Sequence, residues 1–391
     1  MLLKLYNPFN FFNLIMKDTK LNYTLNIIAR WFVGLVFLFS SFSKGVDPLG
    51  TGFKVQEYMT AWSIGSFTFE WALPLANFLS VALICAEFVV GVLLITGSFR
   101  RLSAWLLAAM MLFFTVTTLI DAITNKVTDC GCFGDAVKLT NWQTFWKNIV
   151  LDVPTVWIFL TQKLHYRRRF ERDMIVLILS IAAMIGFEVY NINNEPCIDF
   201  RSWKVGNRML ETDESLQMKS YMTYRNIASG EEVEIETKDW AAYQDETVWQ
   251  LVGSRVEDPH EIKADGFSML DLDGNDMSVD LLSSHDYLII ATLPNPKVSK
   301  VGPKGVRALK AVNEFAFDHD IQMVVLASAL SEDVQSFLYD NELPLDFYGA
   351  DEKAILVMAR ANPAFVLMKD GVVMGKWHYR NYRKLLDYNF E

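Results

Sequence analysis

Apolar residues run almost unbroken through five stretches in the first half of the chain, at residues 25–43, 74–96, 102–123, 145–160 and 174–190. Each approaches the roughly 20 residues a helix needs to cross the hydrocarbon of a bilayer. The fourth is the least continuous, because Lys147, Asp152 and Pro154 interrupt it. The first does not read as a cleaved signal, since it starts far from the N-terminus and runs into Ser41-Phe42-Ser43-Lys44-Gly45 without a small-residue cleavage pattern. Past Tyr190 the apolar runs shorten to strand length. Residues 220–225 and 232–236 flank Ala228-Ser229-Gly230 as a β-hairpin. Residues 266–275 predict a strand running into an Asp-Gly turn, and 287–293 and 322–327 predict buried strands. Val306, Leu309, Val312, Phe315 and Phe317 give 304–318 a helical period, and 331–339 predicts a second helix with Ser331 as N-cap and Asp333 in its first turn. Residues 362–373 predict a strand pair joined at Lys369-Asp370-Gly371.

Length and charge sharpen that division. A chain of 391 residues suggests two or three domains, and its net charge of −10 is unevenly spread. Up to about Tyr190 the chain is apolar with basic loops; beyond, acidic residues dominate, which argues against nucleic acid as a partner. Lys4, Lys17 and Lys20 precede the first run, Arg100 and Arg101 sit between the second and third, and Lys163, Arg167, Arg168, Arg169 and Arg172 lie between the fourth and fifth. Basic loops stay on the cytoplasmic side. Five spans then put the N-terminus inside and the acidic half outside, in the periplasm if the membrane is a bacterial inner membrane. The turn between the third and fourth spans also faces that side, where disulfides form.

That turn reads Asp129-Cys130-Gly131-Cys132-Phe133-Gly134-Asp135 and holds two of the four cysteines. A Cys-X-Cys pair can close a strained, labile disulfide. The same residues also suit an inert turn, or half of a metal site, although no histidine lies nearby and structural zinc usually takes four ligands. Ionisable residues inside spans usually face the bundle interior. Arg30 and Glu87 are expected in the cytoplasmic half of the bilayer, about one turn apart in depth, as an ion pair; Arg30 reaching to the cytoplasmic surface is the competing expectation. Lys44, Asp47, Asp121, Asp135, Lys147, Asn148 and Asp152 gather at the outer ends, with Asn148 and Asp152 on one helix face. They form either an outward polar pocket or ordinary interfacial anchors. The segment 47–71 has the make-up of an interfacial amphipathic stretch that roofs the pocket or packs on headgroups. Cys197 reads as a lone structural cysteine. The five histidines are scattered, and no metal cluster, phosphate loop or Ser-His-Asp set stands out.

Arg30-Trp31-Phe32-Val33-Gly34 through Ser43-Lys44, Cys85-Ala86-Glu87-Phe88-Val89-Val90-Gly91, and Cys130-Gly131-Cys132-Phe133-Gly134-Asp135 with Trp142 and Lys147-Asn148 resemble the DoxX/MauE type of membrane protein over about residues 25–165. The resemblance implies a four-helix bundle, a redox pair at Cys130 and Cys132, and pocket residues among Arg30, Glu87 and Lys147. It also implies thiol–disulfide chemistry or a quinone as co-substrate. The β-α-β-α-β-β order around Asn362-Pro363 resembles a thioredoxin-like domain of the TlpA kind, and Pro363 would match its cis-proline, the surface where a partner docks. Where that family carries Cys-X-X-Cys, this chain reads Leu293-Pro294-Asn295-Pro296-Lys297, and residues 198–391 hold no cysteine. The expected fold is therefore an α-helical membrane bundle, a four-helix core (1–165) plus one extra transmembrane helix (166–192). A β-rich connector (193–258) and a soluble α/β thioredoxin-like domain (259–391) follow. Two functions fit: a membrane thiol oxidoreductase working with a quinone or a periplasmic or membrane protein partner, or a non-enzymatic anchor whose outer domain binds proteins. Transport through Arg30 and Glu87 lacks any broken-helix or inverted-repeat signal.

Overall fold

Thr19 opens the first helix by accepting the Asn22 amide on its hydroxyl, and α1 then runs Lys20–Val46. Asp47 closes α1 by donating its amide to the Lys44 carbonyl, and starts α2 (Pro48–Ala61) by accepting the Gly50 amide on its carboxylate. Proline suits the first helical position, where the missing amide would have had no partner. Three longer helices follow, α3 (Ala76–Thr96), α4 (Arg100–Thr124) and α5 (Asn141–Thr161), and then α6 (Phe170–Asn193). Gly97, at φ +69°, ends α3 in the left-handed region that glycine tolerates. A reciprocal box of Thr140 and Gln143 starts α5. The computed structural model describes residues 19–64, 67–68, 70–127, 131–162, 169–212, 219–257, 260–264, 266–295, 297–328 and 332–390. The chain divides into two units, Met1–Arg201 and Ser202–Glu391.

Among the described residues, four helical segments are long and apolar enough to cross a membrane: Lys20–Val46, Trp71–Thr96, Arg100–Thr124 and Phe170–Asn193. Helix α5 spans 21 residues but stays outside that set, its apolar content lowered by Lys147, Asn148 and Asp152. Asn148 and Asp152 turn toward α4, and Asn141 toward the segment just past it. Thr115 donates to Asp152 at 2.9 Å, Asn148 donates to Thr118 at 3.1 Å, and Asn141 donates to the Val127 carbonyl at 2.8 Å. Asn148 and Asp152 thus share a face, as their spacing predicts. Helices α1 and α3 cross where two glycines meet: a β-carbon on Gly91 would lie 3.0 Å from the Gly34 carbonyl oxygen. Small residues allow such approach where apolar burial gives helices no reason to associate in lipid. Trp105, Val153 and Ile178, each more than half exposed, mark the outward flanks of this unit.

The second unit is built on a five-stranded sheet. In chain order its described elements are β1 (Leu210–Thr212), β2 (Lys219–Asn226), β3 (Glu232–Glu236), β4 (Trp249–Glu257), β5 (His260–Ile262), α7 (Ser278–Leu282), β6 (Leu288–Leu293), α8 (Val298–Asp318), β7 (Gln322–Ala327), α9 (Glu332–Asp340), β8 (Asp346–Gly349), α10 (Glu352–Met358), β9 (Ala364–Lys369), β10 (Val372–His378) and α11 (Arg383–Leu386). The sheet order is β8-β7-β6-β9-β10, with β6, β7 and β8 parallel and β9 and β10 antiparallel. Alternation along β6 feeds two cores. Ile289, Ala291 and Leu293 meet Leu309, Val312 and Phe337 from α8 and α9. Leu288 and Ile290 meet Trp203, Met209 and Ile355 on the other side. The Asn362–Pro363 peptide bond is cis, at the entrance to β9. Asp370 (φ +50°) and Gly371 (φ +72°) turn β9 into β10, a left-handed pair that matches the twist of a hairpin.

The predicted hairpin at 220–236 is present as β2 and β3, and β4 pairs with β2 on its other edge. Two expectations need correction. The stretch 266–275 is not a strand: within it only Leu270 forms β-bridges, single ones to Asp276 and Gly349, while Asp271 accepts the Asp273 and Asn275 amides in a polar turn. The order β-α-β-α-β-β also lacks β8 and α10, which lie between α9 and β9. Ser331, expected as an N-cap, lies outside the described residues.

Candidate functional site

The first unit encloses a cavity of about 500 Å³ whose walls are mostly apolar, with Ser40, Lys44, Glu87, Lys147 and Cys132 as its chemically distinctive lining. Helix α1 supplies Ser40 and Lys44, one turn apart on one face. Glu87 comes from α3, and Thr51, Tyr58 and Trp62 come from α2 and its end. The segment after Asp47 is therefore a wall of the pocket. Lys44 Nζ sits 2.5 Å from Glu87 Oε1, with side chains 7% and 2% exposed. Such a pair holds only because each charge compensates the other's lost hydration. Ser40 Oγ lies 3.0 Å from Glu87 Oε2 and 2.8 Å from the Cys132 carbonyl oxygen.

The turn carrying Cys132 is fastened by its neighbour. The Phe133 ring packs 5.3 Å from the Phe39 ring, centroid to centroid, and Lys147 Nζ stands 4.5 Å from its centroid. A cation over a ring face is attracted by the ring quadrupole. The short turn Gly134–Ala136 then brings Asp135 to an exposed position. Asp121 is fully buried behind the pocket and accepts from the Tyr58 hydroxyl at 2.6 Å. Asn148 lines the cavity while donating to Thr118. Cys130 lies outside the described residues.

The expected Arg30–Glu87 pair does not form. Arg30 is 5% exposed and donates to the Leu94 carbonyl from Nε at 2.7 Å and to the Ile95 carbonyl from Nη2 at 3.3 Å. It closes the C-terminal end of α3, where carbonyls lack intrahelical partners and a positive charge is favoured. The register of the antiparallel helices explains the change of partner. Arg30 is level with Leu94 and Ile95, seven or eight residues from Glu87, or roughly 11 Å along the axis. Ser40 and Lys44 are the residues of α1 that face Glu87. Of the residues predicted from sequence, Lys44, Glu87, Lys147, Asn148 and Cys132 come together at one cavity; Arg30, Asp121 and Asp135 lie elsewhere. Sequence reasoning missed Ser40; Tyr58 belongs to the stretch expected to roof the pocket and Phe133 to the cysteine motif, but neither had a role of its own. The spacing of Ser40 and Lys44, at i and i+4, was the one signal available for the first.

In the second unit the loop after β6 contains Pro294, Asn295 and Lys297, and it faces the cis-proline loop. Asn362 Nδ2 donates to the Asn295 carbonyl at 2.6 Å. A β-carbon on Gly305 would meet Pro363 Cδ at 2.8 Å, so the start of α8 closes against the same loop.

A bundle of apolar helices with a Cys-X-Cys turn, followed by a sheet of this order with a cis-proline before its hairpin, defines the class: a MauE-like membrane part fused to a thioredoxin-like domain. Residues 22–161 match the family model described as methylamine utilisation protein MauE. Among solved structures, the thioredoxin domain of a thiol-disulfide oxidoreductase from Bacteroides vulgatus is 13% identical, with a TM-score of 0.25, covering 30% of this chain and 91% of its own. A thiol:disulfide interchange protein from Bacteroides sp. is 13% identical, with a TM-score of 0.24, covering 32% and 88%. No curated protein matches the chain.

Proposed function

We propose that this protein is a membrane thiol–disulfide oxidoreductase, with Cys130 and Cys132 as its redox pair and a lipid-soluble quinone as electron acceptor. The observation that carries the reading is that Cys132 lines the same chamber as the buried Lys44–Glu87 pair. Oxidation of the two thiols forms one S–S bond and releases two protons and two electrons. A quinone supplies the acceptor and leaves as hydroquinone. The chamber fits such a molecule: apolar walls suit a ring and tail, and the Lys44, Ser40 and Lys147 end offers donors to ring oxygens. Leu79 and Phe113 line the chamber and are 40% and 58% exposed, on helices whose outward side chains are apolar. That rim supports access from the bilayer. Lys147, held beside Phe133, places a positive charge near the turn, where it favours the attacking thiolate.

In this reading the membrane is a bacterial inner membrane, with the N-terminus cytoplasmic and the cysteine turn and thioredoxin-like domain periplasmic. The domain binds a periplasmic or membrane protein partner through the loop at Pro363. The lack of any cysteine in residues 198–391 supports a second reading, in which the chain is a non-enzymatic anchor or assembly subunit. Thiol trapping in intact cells separates the two. A population of Cys130 and Cys132 that moves from oxidised to reduced when quinone is depleted supports the oxidoreductase. A Cys130→Ser/Cys132→Ser variant with wild-type behaviour would end it.

A further inference from the structure

We propose that the chamber has a side mouth between α3 and α4 that holds the apolar tail of a lipid-soluble ligand arriving through the bilayer. Both helices belong to segments long and apolar enough to cross a membrane, and their outward side chains, Phe78 and Leu112 among them, are exposed. On the edges that face each other, Leu79 and Leu83 of α3 and Phe113 of α4 line the chamber. Leu79 and Phe113 are at the same time open to the outside. Side chains that both line a cavity and meet the exterior mark its rim, and this rim lies where hydrocarbon surrounds the helices.

Helix α2 builds the upper edge of the mouth. Its start is fastened to α3: Ser80 donates to the Pro48 carbonyl at 2.8 Å, and a β-carbon on Gly52 would collide with the Asn77 side chain. Its end reaches α4, where the Tyr58 hydroxyl holds the buried Asp121 carboxylate and Trp62 packs edge-on against the Tyr58 ring. The helix therefore bridges α3 and α4, and Val55, Met59 and Trp62 give the bridge an apolar lining. Glu87, with its Lys44 partner, lies one turn along α3 from Leu83 and two from Leu79, roughly 6 and 12 Å. A polar head at Lys44 and Glu87 thus points its tail along Leu83 and Leu79 toward the lipid. A tail also concentrates the ligand in the bilayer, so entry from the side needs no passage through water. The identity of the head rests on the quinone reading above; the mouth does not.

Thiol labelling tests it in the full chain in lipid nanodiscs, where both faces meet water, with Cys85, Cys130 and Cys197 changed to Ser so that Cys132 is the thiol left. Two methanethiosulfonates serve as probes, one with a dodecyl chain that dissolves in lipid and one with a trimethylammonium group that stays in water. With either, the Cys132 thiolate forms a mixed disulfide and expels methanesulfinate, and the readout is the rate. Leu83→Trp, which crowds the mouth, slows the dodecyl probe about two- to tenfold, the scale of a strained passage past an added ring. Phe113→Ala, which widens it, quickens the same probe by a similar factor. The charged probe keeps its rate in both variants. Misfolding or general loosening moves both probes together and cannot reproduce opposite shifts in one of them. A dodecyl rate that either substitution leaves unchanged, or a shift shared by the charged probe, overturns the mouth. No quinone takes part in the labelling, so this result and the thiol-trapping result can fail separately.

Discussion

Lys44 and Glu87 are each nearly sealed from solvent, and removing either leaves the other charge without compensation. Lys44→Met alone should lower stability by about 3–5 kcal/mol, the range for a broken buried pair. Lys44→Met/Glu87→Met should recover most of that loss, as followed by thermal unfolding in detergent micelles. His378 gives the second unit a pH response. Burial, helped by the Arg380 charge, pushes its imidazole from 6.5 down to about 4, while its Nδ1 accepts the Arg380 amide at 3.1 Å. The unfolded chain binds a proton that the folded one refuses. This contribution is therefore complete above about pH 6.5 and is lost as the pH falls toward about 4. Hydrogen exchange in β10 should accelerate over that window, and His378→Gln should flatten the response. Which residues carried charge into the bundle was legible in the sequence; which partner each one chose was not. Arg30 and Glu87 looked like a pair from depth alone, and only the register of α1 on α3 assigns Lys44 to Glu87 and Arg30 to a helix end.

At the scale of elements, the close crossing of α1 and α3 is the feature with least tolerance. A side chain on Gly91 meets the Gly34 carbonyl and Leu38 at about 3 Å, and a backbone atom cannot step aside. Gly91→Val should cost about 1–3 kcal/mol through overpacking. The same separation of helices would open the chamber, so cysteine alkylation should quicken along with earlier melting. The strands at 288–293 and 322–327 were readable because central parallel strands are buried on both faces and show as continuous apolar runs. Strand β8 is four residues long and half polar, with Asp346 exposed, too short a pattern to separate from a loop. The stretch at 266–275 had strand composition but lacked a neighbour to pair with beyond Leu270. Pairing is a tertiary fact that local pattern does not contain.

For the whole molecule, two halves of contrasting composition fold as two units, one of apolar helices and one around a sheet with two cores. The break in hydropathy near Tyr190 gave this away. The chamber did not show in the same way, because its walls come from α1, α2, α3, α4, α5 and the turn at Cys132, segments spread over more than a hundred residues. Helix α5 illustrates why the boundary of a span is hard to read: Asn148 and Asp152 are satisfied by α4 and Lys147 stands over the Phe133 ring, so a composition unfit for lipid alone is acceptable next to those partners.

The three-stranded sheet β2–β4 leaves the chain after β1 and returns at β5, and Thr212 and His260 stand opposite each other in register. The excursion thus begins and ends at one doorway. A shortcut of a few turn residues from Thr212 to His260 should leave both cores of the thioredoxin-like fold intact, with an unchanged melting profile for the remainder. Such a segment behaves as a detachable cassette: selection can lengthen it, exchange it or discard it, retuning what the protein meets while the scaffold beneath stays the same.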